Sequence, residues 1–118
     1  MKVDVEYSLD NNLRNEITKV KNLILEILKN SEIYLFGSIA KGRYKKDSDI
    51  DLLILIHEDI IVKELRNLRH LLEDEIENLS LSRNVDIKLY NRNRYLEWSK
   101  DISFEHAIKK DLINIMRW

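Results

Sequence analysis

The fold of this chain is decided by residues 33–56, which read IYLFGSIAKGRYKKDSDIDLLILI. Two apolar runs flank a basic loop in this segment. The first run stops at Gly37 and Ser38, which is typical of a buried strand that meets a turn. The second run, residues 49–56, is apolar on both faces beyond its two carboxylates, so we expect it to be the central strand of a sheet.

Helical and strand periodicities surround this pair of strands. Apolar side chains recur at steps of three and four along residues 11–30 and 61–79, which predicts two amphipathic helices. Residues 85–89 alternate apolar and polar side chains and predict a third strand. The remainder, from about Arg92, is predicted to be helical, and its apolar stripe consists of Phe104, Ile108, Leu112 and Ile115. The sequence therefore predicts an α/β fold in which a small mixed sheet of about three strands is flanked by helices.

The composition narrows the class of protein. With 118 residues, 44 % of them hydrophobic, we expect a single domain over residues 1–118. The absence of cysteine excludes disulfides and thiolate metal sites, which fits a cytoplasmic location. No run is apolar enough to span a membrane, so a membrane partner is not expected. The net charge of −1 lacks the basic excess of proteins that coat nucleic acids, so we expect no direct nucleic-acid binding.

Both glycines of the chain, Gly37 and Gly42, lie in the loop between the two apolar runs. Their spacing matches the two glycines of a P-loop. That motif next requires a lysine and a serine or threonine, whereas this chain has Arg43 and Tyr44 there. The loop is therefore not interpreted as a P-loop.

Two carboxylates follow the same loop at a fixed distance. Ten residues separate Ser38 from Asp49, and a single residue separates Asp49 from Asp51. Because residues i and i+2 of a strand point to the same face, both carboxylates should project together. Hard oxygen ligands of this kind suit Mg²⁺. The pattern therefore predicts a magnesium site at the start of the central strand.

The loop itself has the features of an anion site. A glycine at the end of a strand lets the backbone approach a phosphate, and the N–H groups at Gly37 and Ser38, with the Ser38 hydroxyl, can cradle the anion. Lys41 and Arg43 add local positive charge and are candidate contacts to the same ligand. The loop and the carboxylates together predict a site for a metal ion and a substrate phosphate.

The stretch FGSIAKG at residues 36–42, followed by SDIDL at residues 48–52, resembles the signature of the minimal nucleotidyltransferase (MNT) domains of the DNA polymerase β-type superfamily. Members of that family take a third carboxylate from a later strand, and Asp86 is the matching candidate here. The usual arginine of the family's loop is Lys41 in this chain, which keeps the charge but loses forked hydrogen bonding.

The resemblance implies a two-metal nucleotidyl transfer from ATP. Asp49 and Asp51 would hold two Mg²⁺ ions, and Asp86 would ligate the second ion and help to deprotonate the acceptor hydroxyl. Gly37 and Ser38 would bind the β and γ phosphates of the nucleotide triphosphate.

Size and resemblance also indicate a partner. Only about 28 residues, 91–118, follow the third predicted strand, so we expect another molecule to supply the acceptor. Small domains of this kind resemble the antitoxins that transfer AMP to a tyrosine of a HEPN-family ribonuclease toxin, which implies a hetero-oligomer. Two alternatives remain open: a small-molecule nucleotidyltransferase of the aminoglycoside type, and a module that neutralises a partner by contact alone.

Overall fold

A computed structural model of the protein describes residues 9–100, 108–109 and 111–118. Four helices and four strands are described over these residues. The helices are α1 Asn11–Ile27, α2 Gly37–Ala40, α3 Val62–Glu77 and α4 Arg92–Trp98. The strands are β1 Ser31–Phe36, β2 Ile50–Ile56, β3 Val85–Asn91 and β4 Ile113–Asn114. The order of elements up to β3 agrees with the sequence-based prediction.

The strands form one mixed sheet in the order β3-β2-β1-β4. β1 runs antiparallel to β2 and to β4, whereas β2 and β3 are parallel neighbours linked through α3. β2 lies in the interior of the sheet, as its continuous apolar run predicted. The antiparallel pairing places Phe36, the last residue of β1, opposite Asp51 near the start of β2. The loop between these two strands therefore leaves β1 and enters β2 at the same end of the strand pair.

One face of the sheet packs against α1 and α3 and contains the main core. From β1 and β2, Ile33, Leu35, Ile50, Leu52 and Ile54 contribute fully buried side chains to it. The α1 positions that show helical spacing in the sequence are buried against them, and they are Leu13, Ile17, Val20 and Ile24. Asp10 caps α1, since its carboxylate accepts a hydrogen bond from the Leu13 amide at 2.9 Å.

The opposite face has a smaller apolar cluster, which consists of Phe36, Leu53, Leu55 and Tyr95. Because side chains alternate between the faces of a strand, Asp51 lies on this second face with Leu53 and Leu55. On β3 the same alternation places Asp86 and Lys88 there, while Ile87 is buried in the main core. The second face is therefore the one that carries charge.

A polar cluster holds the far end of the second face together. The Glu32 carboxylate accepts hydrogen bonds from the Tyr34 hydroxyl at 2.7 Å and from Arg92 Nε at 3.1 Å, and it contacts His57 Nε2 at 2.8 Å. Burial and the hydrogen bond to Glu32 raise the pKa of Tyr34 to about 12. These contacts tie β1 and the end of β2 to the start of α4.

The C-terminal region differs from the prediction. A continuous helix from about Arg92 was expected, but α4 ends at Trp98, and Ile113–Asn114 forms β4 instead. Backbone pairing with β1 explains the difference, because the Ile115 amide donates to the Ile33 carbonyl at 3.1 Å and the buried Ile115 side chain joins the main core. The described residues therefore contain four strands, where about three were predicted, while Phe104 lies outside the described residues.

The buried Lys21 of α1 secures this last segment by donating to the backbone carbonyls of Met116, at 3.5 Å, and Trp118. In the part of the chain that the structure describes, no helix has both the length and the apolar character that crossing a membrane requires.

Candidate active site

Gly37 lies in direct contact with the carboxylate of Asp51. Its φ of +77° is in the left-handed region, which a side chain disfavours. A Cβ atom at this position would overlap Asp51 Oδ2 and lie 3.0 Å from Asp51 Cγ. The close approach follows from the sheet register, because Phe36 pairs with Asp51 and Gly37 is the next residue. Only glycine therefore allows the β1 end to rest against this carboxylate.

The loop begins with a single helical turn, α2, which starts at Gly37. The Lys41 amide donates to the Gly37 carbonyl at 3.1 Å, and the Arg43 amide donates to the Ser38 carbonyl at 2.9 Å. Ser38 is half-buried at the start of this turn, beside Gly37. Gly42 has a φ of +72°, but a Cβ there would meet nothing within 4 Å. The two glycines thus differ: Gly42 serves the turn alone, whereas Gly37 also makes room for Asp51.

Arg83 fixes the second half of the loop, a contact that sequence reasoning missed. Its Nη1 donates to the carbonyls of Lys45, at 2.8 Å, and Ser48, at 2.9 Å, and its guanidinium lies 5.6 Å from the centre of the Tyr44 ring. The Ser48 hydroxyl in turn accepts a hydrogen bond from the Lys45 amide at 2.7 Å. These bonds hold the backbone immediately before Asp49.

The three predicted carboxylates lie at or just before the start of β2 and β3. Asp51 and Asp86 are direct partners in the parallel register and share the second face of the sheet. Asp49 was expected inside the strand, but β2 begins at Ile50, so Asp49 is the exposed residue just before it. The Ile50 amide donates to the Asn84 carbonyl at 2.9 Å, which fixes the beginning of β2 beside that of β3.

The electrostatics show that these carboxylates repel one another. Burial, followed by the negative charges of Asp86 and Asp49, raises the pKa of Asp51 to about 6, while Lys88 opposes the shift. Lys88, which the sequence analysis did not single out, places Nζ 3.7 Å from Asp86 Oδ2. The alternation of residues 85–88 contained the signal, since it puts Asp86 and Lys88 on one face.

The two basic candidates, Lys41 and Arg43, are exposed just after α2. Lys41 forms an ion pair with Asp111, with 3.7 Å between Nζ and Oδ2, so its charge is shared with the C-terminal segment. Arg43 is exposed on the loop after α2. The structure thus brings Gly37 and Asp51 into contact, and it leaves Arg43 toward solvent. That these residues bind a nucleotide stays a prediction.

The donor set fits a divalent cation of the Mg²⁺ type. Carboxylate oxygens on adjacent strands, with mutual repulsion that a cation would relieve, are what a hard metal ion requires. Within residues 9–100, 108–109 and 111–118, no three His, Cys, Asp or Glu side chains are grouped closely enough to hold a metal as they stand. That Asp49, Asp51 and Asp86 are its ligands stays a prediction.

Known proteins share this fold and part of this sequence. A solved structure described as a "putative nucleotidyltransferase" from Sulfolobus solfataricus superposes with a TM-score of 0.58 at 19 % identity, covering 96 % of this chain and 87 % of that one. At that identity the likeness supports the fold alone, and it agrees with the predicted α/β class.

A Methanocaldococcus jannaschii protein named "Putative protein adenylyltransferase" is 44 % identical over 50 residues. The match covers 41 % of this chain and 50 % of that protein, so the chain matches half of its relative's length. Over a longer range, residues 17–115 match the family model described as "Nucleotidyltransferase domain", and this range includes every predicted site residue. The chain therefore belongs to the nucleotidyltransferase domain family.

Proposed function

We propose that this protein is a Mg²⁺-dependent nucleotidyltransferase that transfers AMP from ATP to a hydroxyl of a partner protein. The observation that carries the proposal is the contact of Gly37 with Asp51, which itself pairs with Asp86 across two strands. The turn that we propose to bind phosphate and the carboxylate pair thus lie at the same end of these strands. Family membership supports nucleotidyl transfer, and the name of the M. jannaschii relative supports a protein acceptor.

The chain's own residues would bind and orient the reactants. The backbone at Gly37 and the Ser38 hydroxyl hold the β and γ phosphates, which leaves the α phosphorus facing the carboxylates. The acceptor oxygen forms a bond to that phosphorus, the bond to pyrophosphate breaks, and Asp86 accepts the hydroxyl proton. Asp49, Asp51 and Asp86 would hold the divalent ions, which would neutralise the charge that develops on the phosphate oxygens.

We also propose that the acceptor is a tyrosine of a HEPN-family ribonuclease toxin and that this chain acts as the antitoxin of the pair. The support is the resemblance of its motif to the MNT antitoxins. On this proposal the two proteins form a hetero-oligomer.

The test is to incubate the protein with Mg²⁺, ATP and the protein encoded by the adjacent gene, and to weigh that protein intact. A mass increase of one or more AMP groups is expected. Asp51→Asn should reduce the transfer by about 1,000-fold or more, because it removes a ligand and a charge from the site. Asp47→Asn is the matched control, since Asp47 is exposed on the loop that precedes β2 and its substitution removes the same charge.

Other outcomes assign the alternatives. AMP transfer to an aminoglycoside but to no protein would favour the small-molecule enzyme. If Asp51→Asn abolished all transfer yet still neutralised the partner in cells, the contact module would replace the enzyme as the neutralising function. A wild-type protein that transfers no nucleotide to any hydroxyl would contradict the proposal.

A further inference from the structure

Lys88 occupies the face of the sheet on which the carboxylates meet. On β3 it lies two residues after Asp86, and its register partner on β2 is Leu53, which is two residues after Asp51. The intervening Ile87 points to the opposite side and is only 4 % exposed. The strand geometry therefore places the Lys88 side chain on the second face, next to the Asp51 and Asp86 pair.

The ammonium group turns back along its strand to reach Asp86. Its Nζ lies 3.7 Å from Asp86 Oδ2, and both side chains keep access to solvent, with 41 % and 50 % exposed. Such a pair adds little stability by itself, because solvent screens it. Its importance comes from the surroundings: the positive charge also acts on Asp51, where it opposes the effect of the two neighbouring carboxylates.

We propose that Lys88 is the resting counter-ion of the carboxylate cluster and that it competes with a divalent cation for Asp86. The proposal rests on the proposed function, because it assigns Asp86 as a cation ligand. A carboxylate oxygen that binds a metal ion cannot keep an ammonium group as its neighbour without strong repulsion between the two cations. The flexible, half-exposed stem of Lys88 allows its charge to leave when the cation arrives.

The arrangement has a measurable cost for metal binding. The isolated carboxylates would attract a divalent ion more strongly than the cluster does with Lys88 beside it. Coulomb repulsion between the Lys88 ammonium and a divalent ion about 6 Å away, in a water-like dielectric, predicts that removing the lysine charge tightens metal binding about tenfold. Lys88 is thus a positioning residue that acts through Asp86.

The experiment is a titration of the metal-free protein with Mn²⁺ in the absence of nucleotide, followed by the paramagnetic resonance signal of free Mn²⁺. Lys88→Met should lower the dissociation constant about tenfold. Lys88→Arg, which keeps the charge, should bind Mn²⁺ as weakly as wild type. Lys63→Met is the matched control, because Lys63 is exposed in the first turn of α3, the helix on the main-core side of the sheet.

Unchanged or weaker Mn²⁺ binding by Lys88→Met would overturn the inference while leaving the proposed function intact. A wild-type protein that binds no Mn²⁺ would contradict both. Thermal unfolding in EDTA establishes that each variant is folded, and Lys88→Gln replaces the methionine variant if that one unfolds. With nucleotide present, the Mg²⁺ concentration at half-maximal rate should fall in Lys88→Met, which a purely structural lysine would not cause.

Discussion

The two faces of β2 have opposite tasks although their residues alternate along one strand. Ile50, Leu52 and Ile54 are fully buried against α1 and α3, whereas Asp51 on the other face is a half-buried carboxylate with two acidic neighbours. Burial of apolar surface stabilises the fold on the first face. On the second face a charge is held where repulsion and partial desolvation destabilise it. Because successive side chains of a strand point to opposite faces, the residues that stabilise the fold and the carboxylate of the candidate site lie on different sides of β2.

The largest effect on stability is expected from the main-core face. Leu52→Ala leaves a cavity among fully buried side chains and should lower the free energy of unfolding by about 3 kcal/mol. Leu53→Ala, on the second face, should cost less, because the small cluster there has half-exposed neighbours that can collapse into the space. Urea denaturation of both variants measures the difference. Equal losses would show that the two faces contribute alike.

An intermediate effect is expected at Gly37 and Gly42, the two glycines of the loop between β1 and β2. Gly37→Ala combines an unfavourable positive φ with overlap on the Asp51 carboxylate and should cost about 2 kcal/mol of stability. By displacing Asp51 it should also reduce nucleotidyl transfer about 100-fold. Gly42→Ala has the same kind of φ without the overlap, so it should cost about 1 kcal/mol and keep its activity when folded. Normal transfer by Gly37→Ala would count against the site.

The smallest effect concerns pH. The pKa of Asp51 is raised from 3.8 to about 6 by folding, so the folded protein holds this proton more tightly than the unfolded chain. The unfolding free energy should therefore fall as pH rises from about 4 to about 6. Asp51→Asn removes this dependence and should stabilise the metal-free protein at pH 7 by about 1 kcal/mol, after allowance for solvent screening.

The measurement is thermal or urea unfolding in EDTA across this pH range, with Asp47→Asn as the control for the loss of one exposed negative charge. The control should keep the pH dependence of wild type. A loss of stability at neutral pH in Asp51→Asn would mean that this carboxylate supports the fold, and the contrast between the two faces would then fail.

Local patterns were enough to predict the centre of the molecule. The apolar runs located β1 and β2, and the alternation around Asp86 located β3, because a period of two is visible within a few residues. The Gly37 turn and the first carboxylates could be predicted together, since the loop between them returns to the same sheet edge. Each of these features leaves a pattern in a few neighbouring residues of the sequence.

What the sequence did not reveal depends on distant contacts. Arg83 gave no local signal that it would bind the carbonyls of Lys45 and Ser48, which lie 38 and 35 residues earlier in the chain. Ile113–Asn114 lies in the segment whose apolar spacing predicted a helix, yet it pairs with β1, because the sheet edge offered backbone partners that a helix at that position could not use. The partner of Lys41 was hidden for the same reason.

The position of β3 gives its charges a second use. Among the described strands, β3 has a single neighbour, β2, so its other edge presents backbone groups on which a strand of another molecule could align. Charged side chains on such a strand discourage that pairing, because a partner strand would have to desolvate them. We therefore expect Asp86 and Lys88, the charged side chains of β3, to disfavour strand pairing at this edge. Replacing both by apolar residues would remove the candidate chemistry and this protection at once.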